Sequence, residues 1–163
     1  MKNIVILSGA GMSAESGIST FRDSGGLWEK YRIEEVATPQ AWFTNPALVQ
    51  EFYNQRRKQL LEAEPNEGHR MIAELEKSFN VQIVTQNVDN LHERAGSSKV
   101  LHLHGELMKV RSTGPRAEVF ELTAENAIIR PGDLAPDGYP LRPHIVWFGE
   151  AVPEFENAVR IVE

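Results

Sequence analysis

The chain holds 163 residues, 41% of them apolar and 25% charged, with a formal net charge of −6 at pH 7. That size suits one domain with its own core, and the absence of cysteine excludes a disulfide framework, a thiol nucleophile and cysteine-ligated zinc. The acidic balance argues against nucleic acid as a partner, and no apolar run approaches the roughly 20 residues of a membrane span. The apolar stretch at the N-terminus is too short for a signal peptide, so no membrane partner and a cytoplasmic location are expected.

In chain order, Ile4-Val5-Ile6-Leu7 is an unbroken apolar run ending at Ser8-Gly9, the pattern of a strand buried on both faces of a parallel sheet. Residues 12–44 carry no clean period and hold Gly17, Gly25, Gly26 and Pro39, which predicts a long loop with short helical turns. Asn45-Pro46 reads as an N-cap followed by proline at the first helical position. Leu48, Phe52 and Leu60 share one face of the helix that follows, which stops before Pro65. Asn66 caps a second helix, with Met71, Ile72, Leu75 and Phe79 at helical spacing. Val81–Thr85 and Lys99–Leu103 read as two more strands, and the alternation predicts a doubly wound α/β sheet. Residues 110–143 differ: glycines and prolines punctuate them with little periodicity, the mark of an inserted, turn-rich module. His144–Phe148 reads as a further strand and Glu154–Val162 as an amphipathic helix on Phe155, Val159 and Val162. A sheet that stops on such a helix reads as part of a longer protein.

Gly9-Ala10-Gly11-Met12-Ser13-Ala14 fits G-x-G-x-x-G/A, in which glycines let the backbone approach a pyrophosphate at a helix N-terminus. A bare glycine turn accounts for it equally. No acidic strand end follows about 20 residues later; a polar, aromatic loop with Phe21, Arg22, Asp23 and Trp28 stands there instead. A dinucleotide is therefore expected without hydride transfer. Gln86, Asn87 and Asp89 directly follow a strand, where open α/β sheets place ligands, although such residues are also ordinary turn formers. His102 and His104, two apart on a strand, could share a metal, but no third ligand is obvious and no metal is expected. Each of the five histidines taken alone is as well explained by a structural place. Tyr53 and Arg56 share a helix face, while Arg56-Arg57-Lys58 is also an ordinary solvated charge run.

Taken together these motifs are more specific. Gly9 through Arg22 resembles the opening signature of the sirtuins, the NAD-dependent protein deacylases. Thr85–His92 is similar to their second motif, His104-Gly105 to their catalytic one, and Arg142–Glu150 to their acyl-lysine-binding strand. The resemblance implies NAD as cosubstrate, held by Gly9, Ala10, Gly11, Ser13, Ala14, Phe21, Arg22, Trp28, Gln86, Asn87 and Asp89. It implies His104 as general base, and Val146, Phe148, Gly149 and Glu150 against the acyl-lysine of a protein or peptide. Phe52-Tyr53-x-x-Arg56 resembles the segment by which one subgroup recognises dicarboxylic acyl groups, so succinyl- or malonyl-lysine is favoured over acetyl-lysine, since a guanidinium forks onto a carboxylate. It also implies three parts: a Rossmann-like NAD-binding part over 1–109, the inserted module over 110–143, and a return over 144–163. Three departures stand out. Ser19 replaces a proline of the first motif, and Ser112-Thr-Gly-Pro115 stands where many sirtuins carry the first cysteines of a zinc site, so the module is expected to be held by packing alone. The family's later Gly-Thr-Ser segment and final strands do not follow, so the chain is expected to be C-terminally incomplete. Alternatives are a non-catalytic module that binds NAD and peptide, or an ADP-ribosyltransferase.

Overall fold

The computed structural model describes residues 1–19 and 26–163; Phe21, Arg22 and Asp23 lie outside the described residues. Its first sheet has three parallel strands in the order β1 (Asn3–Ser8), β2 (Asn80–Thr85), β3 (Val100–His102). Ile6 faces Ile83 across the first pair and Thr85 faces His102 across the second. The middle strand is the buried one, with Val81, Ile83, Val84 and Thr85 all inaccessible. β1 departs from the expectation: Ile4 and Ile6 are half-buried, but Val5 and Leu7 are exposed, Leu7 at 69%. Successive side chains of β1 point to opposite faces of the sheet, and the face that carries Val5 and Leu7 is open to solvent, so an unbroken apolar run does not become a strand covered on both sides.

Between β1 and β2 the long loop is broken by four short helices among the described residues: α1 (Gly11–Ala14), α2 (Leu27–Lys30), α3 (Ile33–Val36) and α4 (Pro39–Thr44). They are followed by the 17-residue α5 (Pro46–Glu62) and by α6 (Glu67–Leu75). Both expected caps form: the Asn45 side chain accepts from Leu48 N–H at 3.1 Å and Asn66 from Gly68 N–H at 2.9 Å. The Asn66 amide also donates to the Met12 carbonyl at 2.8 Å, tying α6 to α1. On α5, Phe52 and Leu60 are buried as expected, joined by Val49 and Tyr53, and this face meets Val36, Leu107, Ile145 and Trp147 in the main core. On α6 the expected face is only partly used, with Met71 61% exposed; the helix ends at Leu75, before Phe79.

The second sheet is antiparallel, in the order β5 (Val119–Glu121), β4 (Gly105–Ser112), β6 (Leu141–Ile145). It begins at Gly105 and ends at Ile145, wider than the turn-rich stretch 110–143. The expected strand 144–148 is therefore displaced to 141–145. Pro143 has no N–H to give a ladder, but β6 is an edge strand, where proline is tolerated. After Ile145 the chain turns, with Glu150 N–H donating to the Trp147 carbonyl and Gly149 at φ 91°. Packing alone does not hold this module, contrary to expectation. Ser112 donates to the Asp137 carboxylate at 2.7 Å and accepts from Gly114 N–H at 2.9 Å, and Thr113 donates through its hydroxyl and its N–H to the Pro140 carbonyl. From α5, Gln50 donates to the Leu141 carbonyl, Asn54 to that of Ile129, and Arg57 to that of Ala127 at 2.7 Å. A short helix α7 (Leu91–Arg94) follows β2, and α8 (Phe155–Val162) closes the chain with Phe155, Val159 and Val162 exposed. Among the described residues no helix is long and apolar enough to cross a membrane.

Candidate functional site

Parallel strands release their chains at one edge of the sheet, and ligands of such sheets bind beyond it. Here β1 runs into Gly9–Ala14, β2 into Gln86–Asp89, and β3 into His104 within two residues. These three segments, with α5 and the turn after β6, enclose a cavity of about 170 Å³. Of the residues singled out from sequence, Ala10, Ser13, Trp28, Gln86, Asn87, Asp89, His104, Tyr53, Arg56, Val146 and Phe148 line it. Gly9, Gly11, Ala14, Gly149 and Glu150 do not. Gly9 serves from behind, its carbonyl accepting from the Asn87 amide at 3.0 Å. Glu150 is turned away: its carboxylate takes both prongs of Arg142 at 2.9 and 3.0 Å and the Trp147 N–H at 2.8 Å. It braces the turn that presents Val146 and Phe148.

The polar floor has a definite proton order. His69 Nδ1 accepts from Asn66 N–H at 3.1 Å, so the ring hydrogen of a neutral His69 sits on Nε2 and is offered to Ser13 Oγ at 3.4 Å. Ser13 in turn donates to Asp89 Oδ2 at 2.8 Å, and Leu91 N–H donates to the other Asp89 oxygen. Burial lowers the His69 pKa from 6.5, with Arg70 adding to the effect and Asp89 opposing it, which fits the neutral ring. A parallel chain runs from His92 Nε2 to Ser8 at 2.9 Å and from Ser8 to Thr85 at 2.8 Å; Thr85 also accepts Asn87 N–H. His69, His92, Ser8 and Thr85 were not singled out as site residues. Ser8 borders the first motif and Thr85 and His92 are the two ends of the second, whereas His69 lies in no motif and carries no sequence signal.

His102 and His104 part company. His104 lines the cavity, whereas His102 faces away from it, with Nδ1 2.8 Å from the Asn87 carbonyl and Nε2 2.6 Å from Glu93 Oε1. The strand ends at His102, so the alternation that would put both rings on one side stops there. Both partners of the His102 ring are acceptors, so both nitrogens carry hydrogen and the ring is an imidazolium. Burial opposes that charge, but the Glu93 carboxylate, the Asn87 carbonyl and Glu106 outweigh it and raise the pKa above 6.5. Gly105 has φ +86°, and a Cβ there would stand 2.1 Å from the His144 carbonyl oxygen, so only glycine fits after His104.

At the opposite end Arg56 and Tyr53 face the cavity from α5. The Arg56 guanidinium lies 5.4 Å from the Trp28 ring and 5.8 Å from those of Phe52 and Tyr53. Among the described residues no carboxylate is in ion-pair contact with it; burial lowers its pKa, and Tyr53 and Asp89 oppose that shift. Its neighbours in the charge run behave differently: Arg57 is fully buried, its pKa pulled down to about 10 by burial, and Lys58 is in solvent.

The Sir2 family profile matches residues 9–163. The chain is 64% identical to an NAD-dependent protein deacylase of Bacteroides thetaiotaomicron, over all of its own length and 71% of that protein's. It is 59% identical to one of Helicobacter pylori, over all of its own length and 68% of that protein's. A solved Sir2 homologue in complex with NAD matches at a TM-score of 0.88 and 46% identity, over 99% of this chain and 64% of that one. A Sir2 homologue variant bound to ADP-ribose matches at 0.90 and 46%, over 99% of this chain and 66% of that one. The chain thus spans about two thirds of the length of these proteins. By sequence match and by fold it belongs to the Sir2 family of NAD-dependent protein deacylases.

Proposed function

We propose that this chain uses NAD to remove acyl groups from protein lysines, with succinyl and malonyl preferred over acetyl. The observation that carries the acyl preference is Arg56: a cation facing the same cavity as His104, flanked by the Tyr53 phenol, with no carboxylate in ion-pair contact among the described residues. A dicarboxylic acyl group brings the missing anion, and a charge-assisted pair sheltered from water is worth more than one in solvent. Asn87 and Asp89 orient the nicotinamide ribose and carboxamide; Ala10 and Ser13 border the phosphates. The acyl-lysine lies along Val146, with Phe148 against its aliphatic stem. The acyl oxygen attacks C1 of the nicotinamide ribose and nicotinamide leaves. His104, whose ring makes no side-chain hydrogen bond among the described residues, takes the proton of the ribose hydroxyl that traps the intermediate. Water then adds to the trapped acyl carbon and the lysine amine leaves, so that one water is consumed and the products are free lysine, nicotinamide and an O-acyl-ADP-ribose.

The test is mass spectrometry of NAD with matched succinyl- and acetyl-lysine peptides. Succinyl-ADP-ribose formed faster than acetyl-ADP-ribose is the expected result. Equal or reversed rates overturn the acyl preference. Label from NAD left on protein points to ADP-ribosyl transfer, and NAD binding without product to a binding module.

A further inference from the structure

Trp147 lies in the turn after β6, between the wall residues Val146 and Phe148, and its side chain is buried in the core, 2% exposed. Its indole ring lies 5.9 Å from the Trp42 ring on one side, and the Arg142 guanidinium is centred 3.6 Å from it. The bidentate Glu150 pair and the Ile145 carbonyl, 2.9 Å from Arg142, fix that guanidinium. The indole Nε1–H donates to the Tyr53 hydroxyl oxygen at 3.1 Å.

An indole N–H can only donate. Tyr53 oxygen is therefore the acceptor in that bond, and its own hydrogen has no acceptor among the described residues. Burial raises the Tyr53 pKa, with Arg56, the Trp147 bond, Arg142 and Arg57 pulling back in smaller measure, so the phenol keeps its hydrogen at working pH. Accepting one hydrogen bond makes a hydroxyl a better donor of the next, and a cation over the indole face sharpens the N–H that starts the series. The space left for that hydrogen is the cavity that Tyr53 shares with Arg56.

We propose that Trp147 is a specificity-determining positioning residue: it occupies the acceptor side of the Tyr53 oxygen and so directs the phenolic hydrogen into the cavity, where an acyl carboxylate accepts it. This rests on the dicarboxylic reading above. An acetyl group carries no acceptor at that end, so Trp147 is silent toward it.

The experiment is a double-mutant cycle read first as peptide affinity by titration calorimetry, then as KM and kcat. Trp147→Phe weakens succinyl-lysine peptide binding about tenfold, the size expected for one hydrogen bond to a charged group. It raises KM with kcat little changed and leaves acetyl-lysine affinity within about twofold. In a Tyr53→Phe background the same substitution has no further effect. Equal losses on both peptides, an unchanged succinyl affinity, or a full effect without the Tyr53 hydroxyl each overturn the proposal. Should Trp147→Phe unfold the chain, 3-benzothienyl-alanine at 147 keeps the bicycle and removes only the N–H, with the same outcomes deciding. The wild-type ratio of the two affinities reads the acyl preference separately. A preference that survives Trp147→Phe leaves the function standing and removes Trp147's role, whereas no wild-type preference removes both.

Discussion

At one end of the cavity Ser13 gives its hydrogen to Asp89 and faces donors on His69 and Asn87, while the second Asp89 oxygen takes the Leu91 N–H. At the other end, under α5, the Tyr53 hydrogen has no acceptor and the Arg56 guanidinium no carboxylate in ion-pair contact among the described residues, Asp89 attracting it only from a distance. The same chain thus builds one polar region closed upon itself and one left open. A polar group that is already satisfied holds shape, since a ligand adds little to it. Buried donors without acceptors cost free energy until a ligand supplies them. The closed end is built for orientation and the open end for selection.

The largest effect is expected between the two ends. His104→Ala should lower turnover of every acyl peptide by about 10²–10⁴-fold, the range of a lost general base, while both ends still bind. Steady-state rates beside NAD and peptide affinities check this; turnover close to wild type would remove His104 from the base role. Arg56→Met should touch only the open end. The kcat/KM for succinyl peptide should fall about 10²-fold, as for a lost charge-assisted hydrogen bond, with deacetylation changing far less. Parallel losses on both substrates would mean that Arg56 shapes the cavity through its three aromatic neighbours rather than by pairing with substrate.

How far the sequence foretold these two ends follows from how local each cause is. The caps at Asn45 and Asn66 were legible, because a cap is written in three or four consecutive residues. The segments that form the cavity were legible because each follows a strand or shares a helix face. The fates of Arg56, Arg57 and Lys58 were not. Arg57 is buried donating to the Ala127 carbonyl, 70 positions away, and to the Asn54 side chain, so a run of three cations divides among cavity, core and solvent for reasons outside the run. The Ser112–Asp137 lock is equally remote, joining residues 25 apart. The polar floor was hidden for a further reason: His69 and His92 acquire meaning only as donors of known tautomer, which depends on neighbours from α6, β1 and α1.

The closed end offers the finest test, through pH. His102 faces Glu93 of α7 and the Asn87 carbonyl, with Glu106 of β4 at 4.0 Å and His92 nearby as an opposing charge when protonated. The His102 pKa is raised, so its contribution to stability is full below the unfolded value of 6.5 and fades as pH climbs through the higher folded one. Glu93 is the same interaction seen from the other side. Burial works against its charge, but the His102 bond lowers its pKa, so the contribution is present above 4.5 and fades as pH falls through the lower folded value. The pair therefore stabilises most between those limits. Glu93→Gln should lose about 1 kcal/mol near pH 6, a loss kept small because Glu93 is still partly open to water. The loss should shrink toward alkaline pH, where wild-type His102 gives up its proton. Urea unfolding of both forms from pH 4 to pH 9 measures the difference directly. A difference independent of pH would show that His102 holds the Asn87 loop as a neutral ring, and that the closed end is held by geometry without charge.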